Sequence, residues 1–458
     1  MRKRALLLHL TSIALGCTLL GSPAAAPAAE AVATDESPEL DGAYSDAPED
    51  LDTLDPTDPI VTVQQGFAQP GAIFPKFALP GRVGYEAWRE GLLQKYDLRF
   101  ALRLSMLFQY ANETLPSAQD DYSSGGIGTV EAIWSPHDRG GSHETSLVLR
   151  YAWRGNVFEN AQNPASFGLV NLGANWSNYE YTNWQGGFKV EDLFLQQWFL
   201  DRRANFRIGN VGPQAVLNFS RFKDARVSFT ASPYAFNDTI PWPTFGFGAS
   251  MRVEPNTDSG LYMVGAINDM NGDPAGLGLD WSTAFDEGQF FYGFEIGNFW
   301  RRGEGDFDHL HLMVFWADKR ITRNADVLPN ESGWGFRFYG EKQVGQWVGF
   351  GGYTYNTAEG GGISTTTNAH VVTAGLAYLN PLNIRGEASL GLMYAKPIDD
   401  IFAPLVKERD QYGAEIYWRL QVTPNLVITP GAQLIVNPAF NRDDDFIAVP
   451  HLKFSATF

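Results

Sequence analysis

From residue 96 to the end of the chain, apolar and polar residues alternate with a period of two. In the stretch 96–110, YDLRFALRLSMLFQY, every second residue is apolar, and Asp97, Arg99 and Arg103 lie between the apolar positions. Successive side chains of a β-strand point to opposite faces, so the stretch predicts a strand with one apolar and one polar face. At about 3.3 Å per residue, a strand of this length crosses a bilayer at a tilt.

The same alternation recurs along the chain. Clear repeats occupy 144–154, 245–254, 384–396, 411–422 and 451–458, and weaker ones occupy 126–135, 188–199, 204–211, 260–268, 289–300, 308–318, 333–342, 347–356, 369–379 and 425–436. The pattern predicts about 16 to 18 antiparallel strands, and we expect 16 because bacterial membrane barrels have an even number of strands. A barrel of about that size is too wide for side chains to fill, so its lumen holds water.

A large soluble β-sandwich or propeller is the alternative fold, because its strands also alternate. Two features favour a transmembrane antiparallel β-barrel of the all-β class. The polar faces carry Arg and Glu in mid-strand, which a dry core does not tolerate unpaired. The strands also begin and end with Trp and Tyr, as expected for the aromatic girdles at the two membrane surfaces. The last strand, HLKFSATF, would place Leu452, Phe454, Ala456 and Phe458 against lipid.

Composition narrows the functional classes. Charged residues make up 19 % and aromatic residues 14 % of the 458 residues, and no run of about 18 apolar residues follows residue 30, which excludes a helical membrane protein. The net charge of −18 argues against nucleic-acid binding. The chain has no G-x-S-x-G, H-E-x-x-H or P-loop motif, so we expect neither an enzyme nor a cofactor.

The region before the barrel divides into three parts. Residues 1–29 combine basic residues, an apolar core and small residues, which predicts a signal peptide, with an inner-membrane anchor or lipidation of Cys17 as alternatives. Residues 30–84 predict an acidic, Pro- and Ala-rich disordered periplasmic segment, either a spacer or an arm that contacts a partner. Residues 85–95 predict a short amphipathic helix, and 96–458 the barrel.

The inward faces of the predicted strands offer candidate pore-lining residues. Arginine presents five donors in a rigid fork, and carboxylates opposite it would set up a transverse field. The alternative role is a set of ion pairs that only stiffen the wall. The candidates are Asp97, Arg99, Arg103, Glu131, Arg150, Arg154, Arg207, Arg221, Arg252, Glu295, Arg337, Arg385, Glu387, Glu415 and Arg419.

Two further stretches concern the lumen. Residues 218–229, NFSRFKDARVSF, could be a loop folded inward to narrow the pore, with Arg221, Lys223 and Arg226 facing the solute; the alternatives are one more strand or a surface loop. His309 and His311 share one face of a strand, but two ligands are too few for a metal site, so we expect lumen histidines and no metal.

Three pieces of the sequence match a known family in the same order. The last is DQYGAEIYWRLQVTPNLVITPGAQLIVNPAFNRDDDFIAVPHLKFSATF, where the match rests on Glu415, Tyr417, Thr423, Pro424, Gln433, Asn437 and Pro438. The others are EAWREGLLQKYDLRF, and VEDLFLQQWFLDRRANFRIGNV followed by FNDTIPWPTFGFGASMRVEPNTDSGLYMVGAINDMNGD. Over about residues 85–458 the chain therefore resembles the OprB-type carbohydrate-selective porins. The acidic segment is not part of that family's core.

The resemblance implies a channel in the outer membrane of a Gram-negative bacterium. It implies passive diffusion of neutral sugars, monosaccharides such as glucose, through a constriction lined by arginines and carboxylates. An anion-preferring or general diffusion porin, for phosphate or acidic sugars, is the alternative, and an outer-membrane enzyme or adhesin is a third. Phe458 resembles the terminal aromatic residue that outer-membrane proteins present to the barrel assembly machinery. A monomer and a homotrimer both remain open.

Overall fold

The computed structural model describes the region that follows the predicted acidic segment, with short gaps. The described residues are 71–75, 77, 82–118, 120–176, 178–182, 187–235, 237, 239–243, 246–256, 259–272, 277–303, 306–320, 331–358, 368–398 and 410–458. The predicted signal peptide at 1–29 and residues 30–70 lie outside them.

The alternating segments form sixteen strands. In chain order, β1 to β16 are Leu98–Tyr110, Tyr122–His137, Thr145–Gly155, Phe188–Phe199, Ala204–Asn210, Phe247–Asn256, Leu261–Asp269, Phe290–Gly303, Asp306–Ala317, Gly333–Val344, Trp347–Asn356, Asn368–Leu379, Gly386–Pro397, Gln411–Thr423, Leu426–Val436 and Phe446–Thr457. Each strand pairs antiparallel with the next, and β1 pairs with β16, so the sheet closes into a barrel. The prediction of a sixteen-stranded antiparallel barrel is confirmed.

Few residues of the described part are helical. The helices are α1 at Arg82–Tyr96, α2 at Pro164–Ser166 and α3 at Ser282–Asp286, with a π-helical turn at Phe167–Leu172 and 3-10 turns at Tyr179–Tyr181, Pro213–Ala215 and Pro381–Asn383. Helix α1 starts before the predicted residue 85 and ends at Tyr96, and the next residue, Asp97, turns the chain into β1 with a positive φ of 55°. None of the helices described is long and apolar enough to span a membrane.

The two faces of the strands differ as the alternation predicts. In β10, the side chains of Trp334 and Phe338 are half exposed on the outside of the barrel, whereas Arg337 and Tyr339 are buried on the inside. Apolar side chains thus cover the outer wall, which lipid can solvate, and polar side chains face inward, where they find hydrogen-bond partners.

The two ends of the barrel have different connections. Short turns, such as 200–203 and 345–346, join strands at the end that we call the turn end. Long loops, such as 156–187 and 211–246, join them at the opposite end, the loop end. In bacterial membrane barrels short turns face the periplasm and long loops the exterior. The last residue closes the barrel, because Phe458 N–H donates to the Leu102 carbonyl at 2.7 Å.

Candidate permeation channel

The described residues of the connection from β5 to β6, which are 211–235, 237, 239–243 and 246, lie inside the barrel, and we call them the inner loop. Among its described residues, Leu217 and Phe229 are fully buried. The Asn237 side chain donates to Thr354 Oγ1 on β11 at 2.7 Å, and Thr429 on β15 donates to the Val227 carbonyl at 3.1 Å. Because these strands lie on the opposite wall from β5, the inner loop crosses the lumen.

Carboxylates of the barrel wall hold the backbone of the inner loop. Glu415 on β14 accepts the N–H groups of Thr230 at 2.5 Å and of Ala231 at 2.8 Å. Glu295 on β8 accepts the N–H of Asn218 at 2.6 Å. A loop in the lumen has no ladder for its amides, so these charge-assisted bonds supply the partners that buried N–H groups require.

A third glutamate, Glu341 on β10, binds both the backbone and the side chain of Arg221. Its carboxylate accepts the Arg221 N–H at 3.0 Å and Nε at 2.8 Å, and also the Tyr339 hydroxyl at 2.8 Å. The Arg221 guanidinium lies 4.2 Å from the centre of the Phe307 ring. This stacking and the ion pair fix the position of Arg221 at the wall.

Two lysines satisfy carbonyl groups of the inner loop. Lys453 on β16 donates to the Ser228 carbonyl, and Lys223 within the loop donates to the Leu217 carbonyl at 3.0 Å and to the Gln214 carbonyl. Both lysines are fully buried. The ammonium groups therefore hold the loop in place and do not face the solute.

A network of arginines and carboxylates surrounds the lumen side of β1 to β4, and we call it the polar girdle. Its members are Arg103, Arg150, Arg154, Arg226, Glu131, Glu180, Glu191, Asp192 and Asp224. Asp224 of the inner loop lies 2.8 Å from both the Arg103 and the Arg226 guanidinium groups. Burial opposes ionisation of Asp224, but the two arginines outweigh it and hold the pKa of its carboxyl below the ordinary range.

The remainder of the polar girdle joins β2, β3 and β4. Arg150 lies 2.8 Å from Glu131 and 3.2 Å from Asp192. Arg154 pairs with Glu191 and lies 3.4 Å from Glu180. The pairing register of β3 and β4 shifts at this point: Arg150 pairs with Asp192, but the next residue, Tyr151, pairs with Val190. The bulge lets Glu191 and Asp192, neighbours in sequence, both reach the lumen arginines.

The wall of β7 to β10 carries the predicted lumen histidines. His309 and His311 point inward, with ring centres 5.0 Å apart. His309 Nε2 lies 2.8 Å from the Tyr262 hydroxyl, which also donates to Glu295 at 2.7 Å. Within the described part of the chain, no group of three metal-binding side chains occurs. This wall therefore forms a hydrogen-bonded support for the inner loop through Glu295.

The fifteen predicted pore-lining residues fall into several places. Arg103, Glu131, Arg150 and Arg154 belong to the polar girdle, and Arg221, Glu295 and Glu415 hold the inner loop. Arg207 and Arg337 are buried in the wall, 2 % and 1 % exposed, and Arg207 donates to Gln196 at 2.8 Å. Neighbouring side chains of the wall therefore enclose these two arginines.

The remaining candidates lie toward the turn end. Arg252 lies 2.8 Å from Glu254, and Glu387 lies 2.5 Å from Arg419. Arg99 is partly exposed on β1. Two candidates lie outside the strands in which the alternation placed them, so that placement is corrected. Asp97 lies between α1 and β1 and pairs with Arg139 at 3.1 Å, and Arg385 is in the turn before β13 because β13 begins at Gly386.

Sequence reasoning missed several residues of the polar girdle and one lysine that holds the inner loop. Glu180 and Asp224 belong to loops, where no periodicity marks an inward position. Asp192 and Lys453 lie on predicted strands, and their polar character in an alternating stretch was a usable signal. Glu191 was hidden by the bulge, which moves a residue of the wrong parity to the lumen.

Comparison with known proteins agrees with this architecture. The barrel is similar to the high-pH structure of Pseudomonas putida OprB, with a TM-score of 0.62 and 14 % identity over 82 % of this chain and 97 % of that chain. It also matches the low-pH structure of the same protein at a TM-score of 0.46 and 13 % identity, over 82 % and 96 % of the two chains. No curated protein sequence matches this chain. At these identities the first match supports the fold alone.

The family assignment comes from sequence. The model of the OprB family, described as carbohydrate-selective porins, matches residues 181–458, which is more than half of the chain. A family of this kind places the protein in the outer membrane of Gram-negative bacteria, as a channel for carbohydrates. This protein belongs to the OprB family of carbohydrate-selective porins.

Proposed function

We propose that neutral sugars diffuse past the polar girdle on one side and the inner loop on the other. The arginines at these positions keep some contact with water: the Arg103, Arg154 and Arg221 side chains are 9 %, 12 % and 14 % exposed. Nearer the turn end, the Arg419 side chain is 32 % exposed. These guanidinium groups offer fixed donors to sugar hydroxyls along the path.

The pairing of charges is the observation that supports a neutral solute. The polar girdle contains four arginines and five carboxylates, joined by ion pairs of which the longest is 3.9 Å. Since nearly every positive charge has a carboxylate beside it, the wall is rich in donors and acceptors but close to neutral. Such a wall suits a hydroxyl-rich neutral molecule better than an anion, and binding stays weak enough for release.

Two side chains provide the test, Arg103 in the polar girdle and Arg419 near the turn end. We expect Arg103→Ala and Arg419→Ala each to reduce glucose flux severalfold in liposome swelling, relative to an uncharged solute of similar size. Arg139→Ala is the matched control, because Arg139 pairs with Asp97 at the turn end, away from the girdle. Equal loss of flux for glucose and the reference solute would contradict a selective role for either arginine.

An anion-preferring channel is the competing function. Planar-bilayer reversal potentials in a salt gradient separate the two, because paired charges should produce only a modest ion preference. A strong anion preference, with glucose and other solutes of the same size passing equally, would favour the competing function.

The remaining sequence predictions complete the proposal. Residues 1–29 act as a secretory signal, the protein has no enzymatic activity, and Phe458 engages the barrel assembly machinery. Either a single barrel or a homotrimer would form the working channel, and chemical cross-linking in native membranes distinguishes them.

A further inference from the structure

The chain reaches the barrel at a defined place on the turn end. The Arg385 N–H donates to the Gly71 carbonyl at 2.9 Å, and Ile73 and Phe74 donate to the carbonyls of Gln421 and Val422 at 3.0 and 2.9 Å. Residues 71–74 are thus anchored beside the ends of β13 and β14. Whatever precedes Gly71 in the sequence starts next to Arg385.

This place carries a positive charge that lacks a partner among the described residues. Arg385 is exposed, and within that part of the chain no carboxylate forms an ion pair with it. Another arginine lies close by on the neighbouring strand: the Gln421 N–H donates to the Arg385 carbonyl at 3.1 Å, and Arg419 precedes Gln421 by two residues on β14. Partial burial of its side chain and the Arg419 guanidinium both lower the pKa of Arg385. The Arg419 guanidinium already forms an ion pair with the Glu387 carboxylate at 2.5 Å. An additional anion here would relieve the repulsion between two like charges.

The sequence just before the anchor is rich in anions. Residues 49–58 contain five carboxylates, Glu49, Asp50, Asp52, Asp55 and Asp58, and no basic residue lies between 47 and 70. The twelve residues 59–70 carry no charge. A chain of about thirteen residues spans on the order of 20 Å, so the carboxylates are within reach of Arg385 and Arg419.

We propose that the acidic segment, residues 49–58, binds the guanidinium groups of Arg385 and Arg419 at the turn end and thereby lowers the anion preference of the channel. The short tether gives the segment a high effective concentration at this one place, so weak ion pairs suffice. Carboxylates held at the mouth repel anions that approach from the turn end and leave neutral solutes unaffected. The docking does not depend on which solute the channel selects.

A charge-neutralisation cycle on the full chain tests the proposal. In one variant the five acids become Gln or Asn; in a second, Arg385→Gln and Arg419→Gln are combined; a third carries both sets. We expect neutralising the acids to raise the chloride-to-potassium permeability ratio by about twofold at roughly 0.1 M KCl, and the effect to vanish at about 1 M, where screening is strong. In the background with both arginines changed, neutralising the acids should have no effect.

The controls separate docking from its alternatives. Arg442→Gln removes an exposed arginine near the loop end and should leave the effect of the acidic segment intact. The proposal would be overturned if neutralising the five acids changed the permeability ratio equally whether or not Arg385 and Arg419 were present. It would also be overturned if neutralising the acids changed nothing in the original protein. If the Gln variants fail to fold, Arg385→Lys and Arg419→Lys take their place, because lysine keeps the positive charge but not the forked guanidinium. In that background, neutralising the acids should still raise the permeability ratio, but by less.

A second measurement reports docking directly. A thiol cross-linker joins Thr57→Cys to Leu382→Cys, which lies in the turn beside Arg385 and is 79 % exposed. We expect its yield to fall severalfold when the five acids are neutralised, and the pair Thr57→Cys with Phe285→Cys, exposed near the loop end, to give no product. An unchanged yield contradicts docking, whatever the glucose flux of the channel proves to be.

Discussion

The guanidinium of Arg103 on β1 lies 2.8 Å from the carboxylate of Asp224 on the inner loop. This contact joins the barrel wall to the segment that crosses the lumen, and Arg226 approaches the same carboxylate at 2.8 Å. One aspartate therefore bridges the two arginines and ties the inner loop to the barrel wall.

The first prediction concerns this aspartate. Asp224→Asn removes the ion-pair partner of Arg103 and leaves Arg226 with Glu180 at 3.9 Å, so we expect the channel to become anion-preferring and the barrel to lose about 3–5 kcal/mol of unfolding free energy, because breaking a buried pair leaves an uncompensated charge. Reversal potentials and urea unfolding in detergent measure the two effects. The double variant Arg103→Gln with Asp224→Asn should regain most of the ion preference of the original protein. Asp286→Asn, exposed in α3, is the control.

The second prediction is the pH dependence of the same pair. The pKa of Asp224 in the folded protein is below the ordinary 3.8, so its stabilising contribution is complete above that value and is lost as the pH falls through the lower, folded-state pKa. We expect the difference in unfolding free energy between the original protein and Asp224→Asn to stay constant from about pH 7 to about pH 4, and to shrink below. A difference that declines already between about pH 7 and pH 5 would show that the arginines do not protect this carboxylate.

The third prediction concerns the anchoring of the inner loop. Glu415→Gln keeps the shape but replaces a charged acceptor of the Thr230 and Ala231 N–H groups with an amide that has one accepting oxygen. We expect a loss of about 1–3 kcal/mol of unfolding free energy, since one buried amide loses its partner.

Single-channel recording gives the functional readout of this variant. A loosened inner loop should increase open-channel current noise and single-channel conductance. Glu113→Gln, an exposed substitution near the loop end, should change neither. Identical noise in Glu415→Gln and the original protein would mean that the other anchors suffice.

The fourth prediction separates two roles of the last residue. The backbone of Phe458 exchanges two hydrogen bonds with Leu102, at 2.7 and 2.9 Å, and these remain in Phe458→Ala. We expect this variant to refold in detergent at a normal yield but to accumulate poorly in the outer membrane, because only the aromatic signal is lost. Deletion of the residue should impair both. Normal accumulation of Phe458→Ala in cells would remove the proposed role of the ring in assembly.

The alternation of residue types was sufficient to predict the barrel, as β1 and β10 illustrate. Each strand contacts lipid on one face and the lumen on the other. Every second position is therefore apolar, and the sequence alternates with a period of two. The bulge at Glu191 shows where that rule fails, because one extra residue reverses the faces. Arg385 shows a second limit, because the alternation continues one residue beyond the start of β13 at Gly386.

The candidate site was predicted in part. Arg103, Arg150 and Arg154 were found from their position on polar strand faces, and all three belong to the polar girdle. Their partners Glu180 and Asp224 were not predicted, because residues in loops do not follow the alternating pattern. Arg207 and Arg337 show a further limit, since the alternation marks an arginine as inward but not whether its neighbours cover it.

The sequence by itself determined the class of fold, the approximate strands and the family, because these depend on local patterns that each strand repeats. Only the tertiary structure decided that the inner loop crosses the lumen, and which carboxylate each arginine meets. Arg103 and Asp224 are 121 positions apart, and their pairing exists only once the barrel has closed around the inner loop. Contacts of this kind form when the barrel closes, so no periodic pattern in the sequence predicts them.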